Sequence, residues 1–143
     1  MNAVMNTRED KGMKTLIVED DFISRKIMKE LLAPLGECDI ATDGAEAVQA
    51  FRLAHEEKRP YDLVCMDIMM PNMDGHEALE RIREMERDMG VAASGEVKVI
   101  MTTALDDPRN VVEAFYRGGA TSYLVKPITR QKLMKEIRSH GLV

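Results

Sequence analysis

Apolar runs of four to six residues, each halted by a charge or a turn, alternate along this chain with stretches whose apolar residues recur every three or four positions. The first run, Thr15-Leu16-Ile17-Val18, stops at Glu19-Asp20-Asp21. Ile27, Leu31 and Leu35 then recur every four residues, with Phe22, Ile23, Met28 and Leu32 beside them. This predicts an amphipathic helix with acids at its positive end, broken by Pro34 and Gly36. A short strand is predicted over Cys38 to Ala41. Asp43 and Glu46 have the spacing of a capping box, and Ala47, Val48, Ala50, Phe51 and Ala54 continue a second helix.

The third apolar run lies between Asp62 and Asp67, and the turn Pro71-Asn72-Met73-Asp74-Gly75 follows closely. Asp74 and Glu77 repeat the capping pattern, with Ala78, Ile82, Met85 and Met89 on one face of a third helix. The connection from Gly90 to Glu96 leads into a strand over Val97 to Thr103. Asp107 before Pro108 caps a fourth helix carrying Val111, Ala114 and Phe115, stopped at Gly118-Gly119. A fifth strand over Thr121 to Val125, a Lys126-Pro127 turn and a helix over Arg130 to Ser139 close the chain. Residues 1–12 read as a loose leader and 13–143 as one ordered domain. Strands alternating with helices at this spacing predict an α/β fold: a three-layer (βα)5 sandwich, its parallel sheet covered on both faces through right-handed crossovers. Periodicity leaves the strand order open.

Composition narrows the class. With 143 residues, 45% apolar and 31% charged, the chain matches one soluble, cytoplasmic domain with a real core. Aromatics are only 4%, so the aliphatics and twelve Met must fill the interior. A formal charge of −5 argues against direct nucleic-acid binding, and no apolar run approaches the roughly 18 residues of a membrane span. Cys38 and Cys65 sit in strand-like segments and read as buried thiols rather than a disulfide or metal pair. His55, His76 and His140 show no ligand spacing and read as surface residues.

In a parallel sheet the carboxyl ends of all strands share one edge. That edge collects Glu19 and Asp20 after the first strand, Asp67 after the third, Thr103 after the fourth and Lys126 after the fifth. Taken singly, each has an ordinary explanation: helix capping, a strand-end hydroxyl, a solvated lysine. Their coincidence at successive strand ends does not. Crowded carboxylates repel unless a cation neutralises them, and hard oxygen donors without His or Cys favour Mg2+. A divalent ion beside a lysine and a threonine suits a phosphoryl group, with Asp67 as the nucleophile for an aspartyl phosphate.

The residues Leu-Ile-Val-Glu-Asp-Asp (16–21), Met-Asp-Ile-Met-Met-Pro-Asn-Met-Asp-Gly (66–75), Met-Thr-Thr-Ala (101–104) and Ser-Tyr-Leu-Val-Lys-Pro (122–127) occur in that order. With them the chain resembles the response-regulator receiver domain of two-component signalling, from about Met13 to its end. The resemblance implies a flavodoxin-like sheet of order 2-1-3-4-5. It also implies that Asp67 accepts phosphate from a sensor histidine kinase or a histidine phosphotransfer protein. Glu19 and Asp20 would be the acidic pair, Asp20 touching Mg2+ directly, and the backbone carbonyl of Met69 a further metal ligand. Thr103 and Lys126 would hold phosphoryl oxygens, Tyr123 would be the switch aromatic, and the Lys126–Pro127 bond would be cis. Glu19 stands where aspartate is commoner, and the 90–96 connection is longer than usual for the family.

Two other classes share part of this chemistry or fold. A Mg2+-dependent aspartyl-phosphate phosphohydrolase of the haloacid dehalogenase type needs an acid two residues after its nucleophile, and Met69 there cannot move a proton. A flavin-binding module would need donors after the first strand, where Glu19-Asp20-Asp21 would repel phosphate. The reading is therefore a phosphorylation-switched signalling module rather than an enzyme. Its output would pass to a protein target at the face of the predicted fourth helix, fifth strand and closing helix. The chain's end after that helix implies a stand-alone, chemotaxis-regulator-like protein, with homodimerisation through the switch face left open.

Overall fold

The computed structural model describes residues 12–104 and 119–143. The leader expected over 1–12, Gly12 excepted, and the helix expected after Pro108 lie outside the described residues. Five parallel strands form one sheet: β1 (Met13–Val18), β2 (Gly36–Ala41), β3 (Leu63–Asp67), β4 (Lys98–Thr103) and β5 (Ser122–Val125), in the order β2-β1-β3-β4-β5. The described helices are α1 (Phe22–Leu32), α2 (Gly44–Glu56), α3 (Gly75–Asp88) and the closing α4 (Arg130–Ser139).

Alternation along the strands divides the core in two. Leu16, Val18, Val64, Met66, Val99 and Met101 point to one face, where Ala47, Phe51, Leu79 and Ile82 of α2 and α3 cover them. Ile17, Leu63, Cys65 and Ile100 point to the other, against Met28 and Leu32 of α1 and Leu133 and Ile137 of α4. The three predicted layers are present.

Two strands start earlier than the apolar pattern implies, because polar residues there find partners. Lys14 is buried within β1, its ammonium donating to the Arg59 carbonyl at 2.7 Å and lying 4.8 Å from the Tyr61 ring centroid. β2 begins at Gly36, paired with Met13, rather than at Cys38. Cys38 is half-buried, Cys65 is buried, and both thiols are free. Burial pushes the Cys65 thiol up to about 12.

The helix faces are narrower than the periodicity predicts. In α1 only Met28 and Leu32 are buried, while Phe22, Ile23 and Ile27 stand in solvent. In α3 the buried face turns toward Arg83 and Glu86, leaving Met89 exposed. His76, expected at the surface, is buried at 4% exposure: it lies in the first turn of α3, among that helix's buried residues. His55 is half-buried, its ring centroid 4.9 Å from that of Phe51.

Arg83 and Glu86 can be buried because every charge is met. Arg83 donates to Glu86 Oε1 at 2.7 Å, to the Val97 carbonyl at 2.9 Å and twice to the Gly119 carbonyl. Glu86 Oε2 accepts from the Val97 N–H at 2.7 Å. The pair fastens α3 to the start of β4 and to the approach to β5. It also closes the long 90–96 connection, which contains a short 3-10 turn at Ala93–Gly95.

Removing one partner of such a pair leaves a buried charge and an orphaned amide. Glu86→Ala is expected to lower stability by about 3–5 kcal/mol in urea unfolding, and the double variant Arg83→Met/Glu86→Leu by less than that single change. A loss under about 1 kcal/mol for Glu86→Ala would contradict the clamp.

Candidate functional site

The carboxyl edge of the sheet assembles as its parallel order requires. Glu19 follows β1, its N–H bonded to the Ala41 carbonyl at 3.1 Å. Asp67 ends β3 opposite Thr102, and the next residue is held by an Ile68 N–H bond to the Thr102 carbonyl at 3.0 Å. Thr103 ends β4, and its carbonyl accepts from the Lys126 N–H at 2.8 Å. Oxygens of Glu19, Asp20 and Asp67 lie within 4.8 Å of one another. Lys126 Nζ stands 3.0 Å from Glu19 Oε1 and 3.4 Å from Asp67 Oδ1.

These acids differ in environment. Glu19 and Asp67 are buried, whereas Asp20 is open to solvent. Burial pushes the Asp67 carboxyl up to about 7; the neighbouring Glu19 charge adds to the rise and Lys126 opposes it. Burial by itself would lower Lys126, but its hydrogen bond to Glu19 and the two carboxylate charges hold it above its ordinary value. Asp21, third in the acidic run, has a different task. It caps α1 by accepting from the Ser24 N–H at 2.9 Å, and that bond holds its carboxyl below the usual range.

The remaining expected residues are placed as follows. Thr103 is buried, its hydroxyl 3.4 Å from the Ala104 carbonyl. The Lys126–Pro127 bond is cis. Tyr123 is half-buried and packs against the α2/α3 side of the core. The Met69 side chain is 64% exposed at the rim. The fourth helix of the expected switch face lies outside the described residues. A cavity of about 440 Å3 opens between Lys126, Glu19, Pro127 and the α1 residues Ser24 and Ile27.

Two supporting features escaped the sequence reading. Arg25, one turn into α1, donates to the Glu19 and Asp20 carbonyls at 3.1 and 3.4 Å and so fixes the acidic corner. The loop after β3 is tied to the start of α2 by Asn72, whose side chain donates to Asp43 Oδ2 at 2.8 Å. The Asn in the Pro-Asn-Met-Asp-Gly turn was the available signal, since Asn tolerates the left-handed backbone seen there (φ 68°).

Fold and site together define a flavodoxin-like α/β domain whose polar residues gather at the carboxyl edge of the sheet. The family model for the response regulator receiver domain matches residues 15–138, and the chain belongs to that family of two-component signalling domains. It is 34% identical to the two-component response regulator ORR41 of Oryza sativa subsp. japonica, over 86% of this chain and 90% of that one. It is also 34% identical to the chemotaxis protein CheY of Treponema pallidum, over 88% and 81% of the two chains. A probable histidine kinase 2 of Oryza sativa subsp. indica matches too, at 34% identity over 96% of this chain, but the chain spans only 14% of that protein's length. Among solved structures, the CheX–CheY–BeF3–Mg2+ complex of Borrelia burgdorferi superposes with a TM-score of 0.74 at 30% identity, covering 92% of each chain. A response regulator receiver domain protein from Clostridium thermocellum gives 0.70 at 28% identity, covering 90% of this chain and 93% of that one.

The raised Asp67 carboxyl has a consequence for metal-free protein. At low pH it is protonated in folded and unfolded chains alike and costs nothing. Between pH 3.8 and about 7 only the unfolded chain releases the proton, so stability falls as pH rises, and the penalty is complete above that window. In chelator, Asp67→Asn is expected to stabilise the protein at about pH 8 by on the order of 1–2 kcal/mol, with the gap shrinking as pH falls toward about 5. Denaturant unfolding across pH measures it; a gap independent of pH would contradict the assignment.

Proposed function

We propose that the chain is a phosphorylation-switched module in which Asp67 takes a phosphoryl group from a histidine of a sensor kinase or phosphotransfer protein. The observation that carries this is the convergence of Asp67, Glu19 and Asp20 with Lys126 3.4 Å from the Asp67 carboxylate. An Asp67 oxygen attacks phosphorus in line, the P–N bond to the donor imidazole breaks, and the imidazole leaves with its electron pair. Lys126 meets the charge on the transferring oxygens, and the Thr103 hydroxyl turns from the Ala104 carbonyl to donate to one of them. The donor has access: exposed Ile27 of α1 lines the cavity that opens at Lys126, and Phe22 and Ile23 of the same helix are exposed too.

The donor set fits Mg2+. Among the described residues the cluster is three carboxylates with neither His nor Cys, two of them buried beside Lys126, a set that matches a hard dication. Glu19, Asp20, Asp67 and the Met69 carbonyl would hold it, and it would neutralise charge on phosphoryl oxygens. The Borrelia relative is described in complex with BeF3 and Mg2+. Movement of Thr103 then opens space for the Tyr123 ring, biasing the face around β5 and α4 toward a protein target by a population shift.

Phosphoryl uptake from phosphoramidate, followed by acid-quenched label or intact mass, tests the reading. Wild type with Mg2+ is expected to gain one phosphoryl group, and chelator or Asp67→Asn to abolish the gain. Lys126→Ala is expected to slow it by about two orders of magnitude. Undiminished uptake by Asp67→Asn would overturn the proposal.

A further inference from the structure

The loop between β3 and α3 carries Met69 and is anchored at both ends. Ile68 donates its N–H to the Thr102 carbonyl, and its own carbonyl accepts from the Gly75 N–H at 2.8 Å. Between these anchors the loop leans on the N-terminus of α2. Asp43, the cap of that helix, uses one carboxylate oxygen for the Glu46 N–H at 2.9 Å and the other for the Asn72 amide at 2.8 Å. Gly44, the first residue of α2, has an N–H with no acceptor inside the helix, and it donates to the Met73 carbonyl at 3.0 Å. A side chain at Gly44 would collide with that carbonyl, so helix and loop meet backbone to backbone.

We propose that Asn72 and Gly44 are positioning residues for the metal side of the site: by tying the loop to α2 they fix where the Met69 carbonyl stands. This rests on the reading of Glu19, Asp20, Asp67 and Met69 as Mg2+ ligands. Neither residue touches the ion. Their contribution is to prepay the ordering of a backbone ligand in a segment otherwise spanning open rim. The tie also makes α2 part of the site's support, although it contributes no residue to the acidic cluster. Groups behind the ligands of a metal commonly govern affinity in this way.

Mg2+ titration of the unphosphorylated full chain by calorimetry, with thermal unfolding in chelator alongside, tests the proposal. Asn72→Gly permits the left-handed backbone and removes the bond to Asp43, leaving the loop freer on both counts. It is expected to weaken Mg2+ binding by about tenfold, with the metal-free melting temperature little changed. At saturating Mg2+ its rate of phosphoryl uptake should stay within about twofold of wild type. Gly44→Ala is expected to weaken binding further; should it fail to fold, Asn72→Gly decides alone. Asp20→Asn serves as the control for the metal site itself. If Asp20→Asn loses binding while Asn72→Gly binds as wild type does, the loop tie is overturned and the metal assignment stands. If Asp20→Asn binds Mg2+ as wild type does, the metal assignment falls and the inference with it.

Discussion

Like charges forced together at the edge of a parallel sheet are the constraint on which this structure turns. Oxygens of Glu19, Asp20 and Asp67 converge within 4.8 Å, two of the three residues are buried, and Lys126 pairs with Glu19 and Asp67. No fold gathers such groups for stability, since burial and repulsion both raise the energy of the charged form. Surrounding contacts hold them there: the Ala41 carbonyl on the Glu19 amide, the Arg25 guanidinium on the acidic corner, and the Thr102 carbonyl on the residue after Asp67. Under the proposed function, an incoming ion and phosphoryl group would relieve that repulsion, and the two states of the site would then differ in energy.

Much of this was legible from residue order. Short apolar runs ending in Glu19, Asp67 and Thr103 marked strands whose ends must meet, because parallel strands present their carboxyl ends together. The sheet order and the cis bond at Pro127 agree with the family resemblance. What the pattern left unread shares a cause: apolar periodicity says nothing of charged residues that find partners inside, and it overstates how many apolar residues a helix buries. Lys14, Arg83 and Glu86 are buried because specific carbonyls and carboxylates meet them. Phe22, Ile23 and Ile27 are exposed because a helix against one face of a sheet buries only a narrow stripe. His76 is buried for its place in α3, which spacing between histidines could not reveal.

Support for the site comes from elements that supply none of its charges. The Arg83–Glu86 pair holds α3 to the approaches of β4 and β5, the strands that end at Thr103 and Val125. On the opposite flank, the cap of α2 holds the loop that follows Asp67. Capping chemistry visible as simple helix punctuation in the sequence thus has a second use in three dimensions, because each Asp43 oxygen serves a different element.

The central claim is that Asp67, and neither Asp20 nor Glu19, becomes the acyl phosphate. Borohydride reduces an aspartyl phosphate to homoserine, leaving a permanent mass mark at the modified residue. After phosphorylation and reduction, peptide sequencing by mass spectrometry should find homoserine at position 67 alone. Homoserine at position 20, the corresponding reduced glutamyl product at position 19, or no reduced residue in a protein shown to carry phosphate would contradict the account.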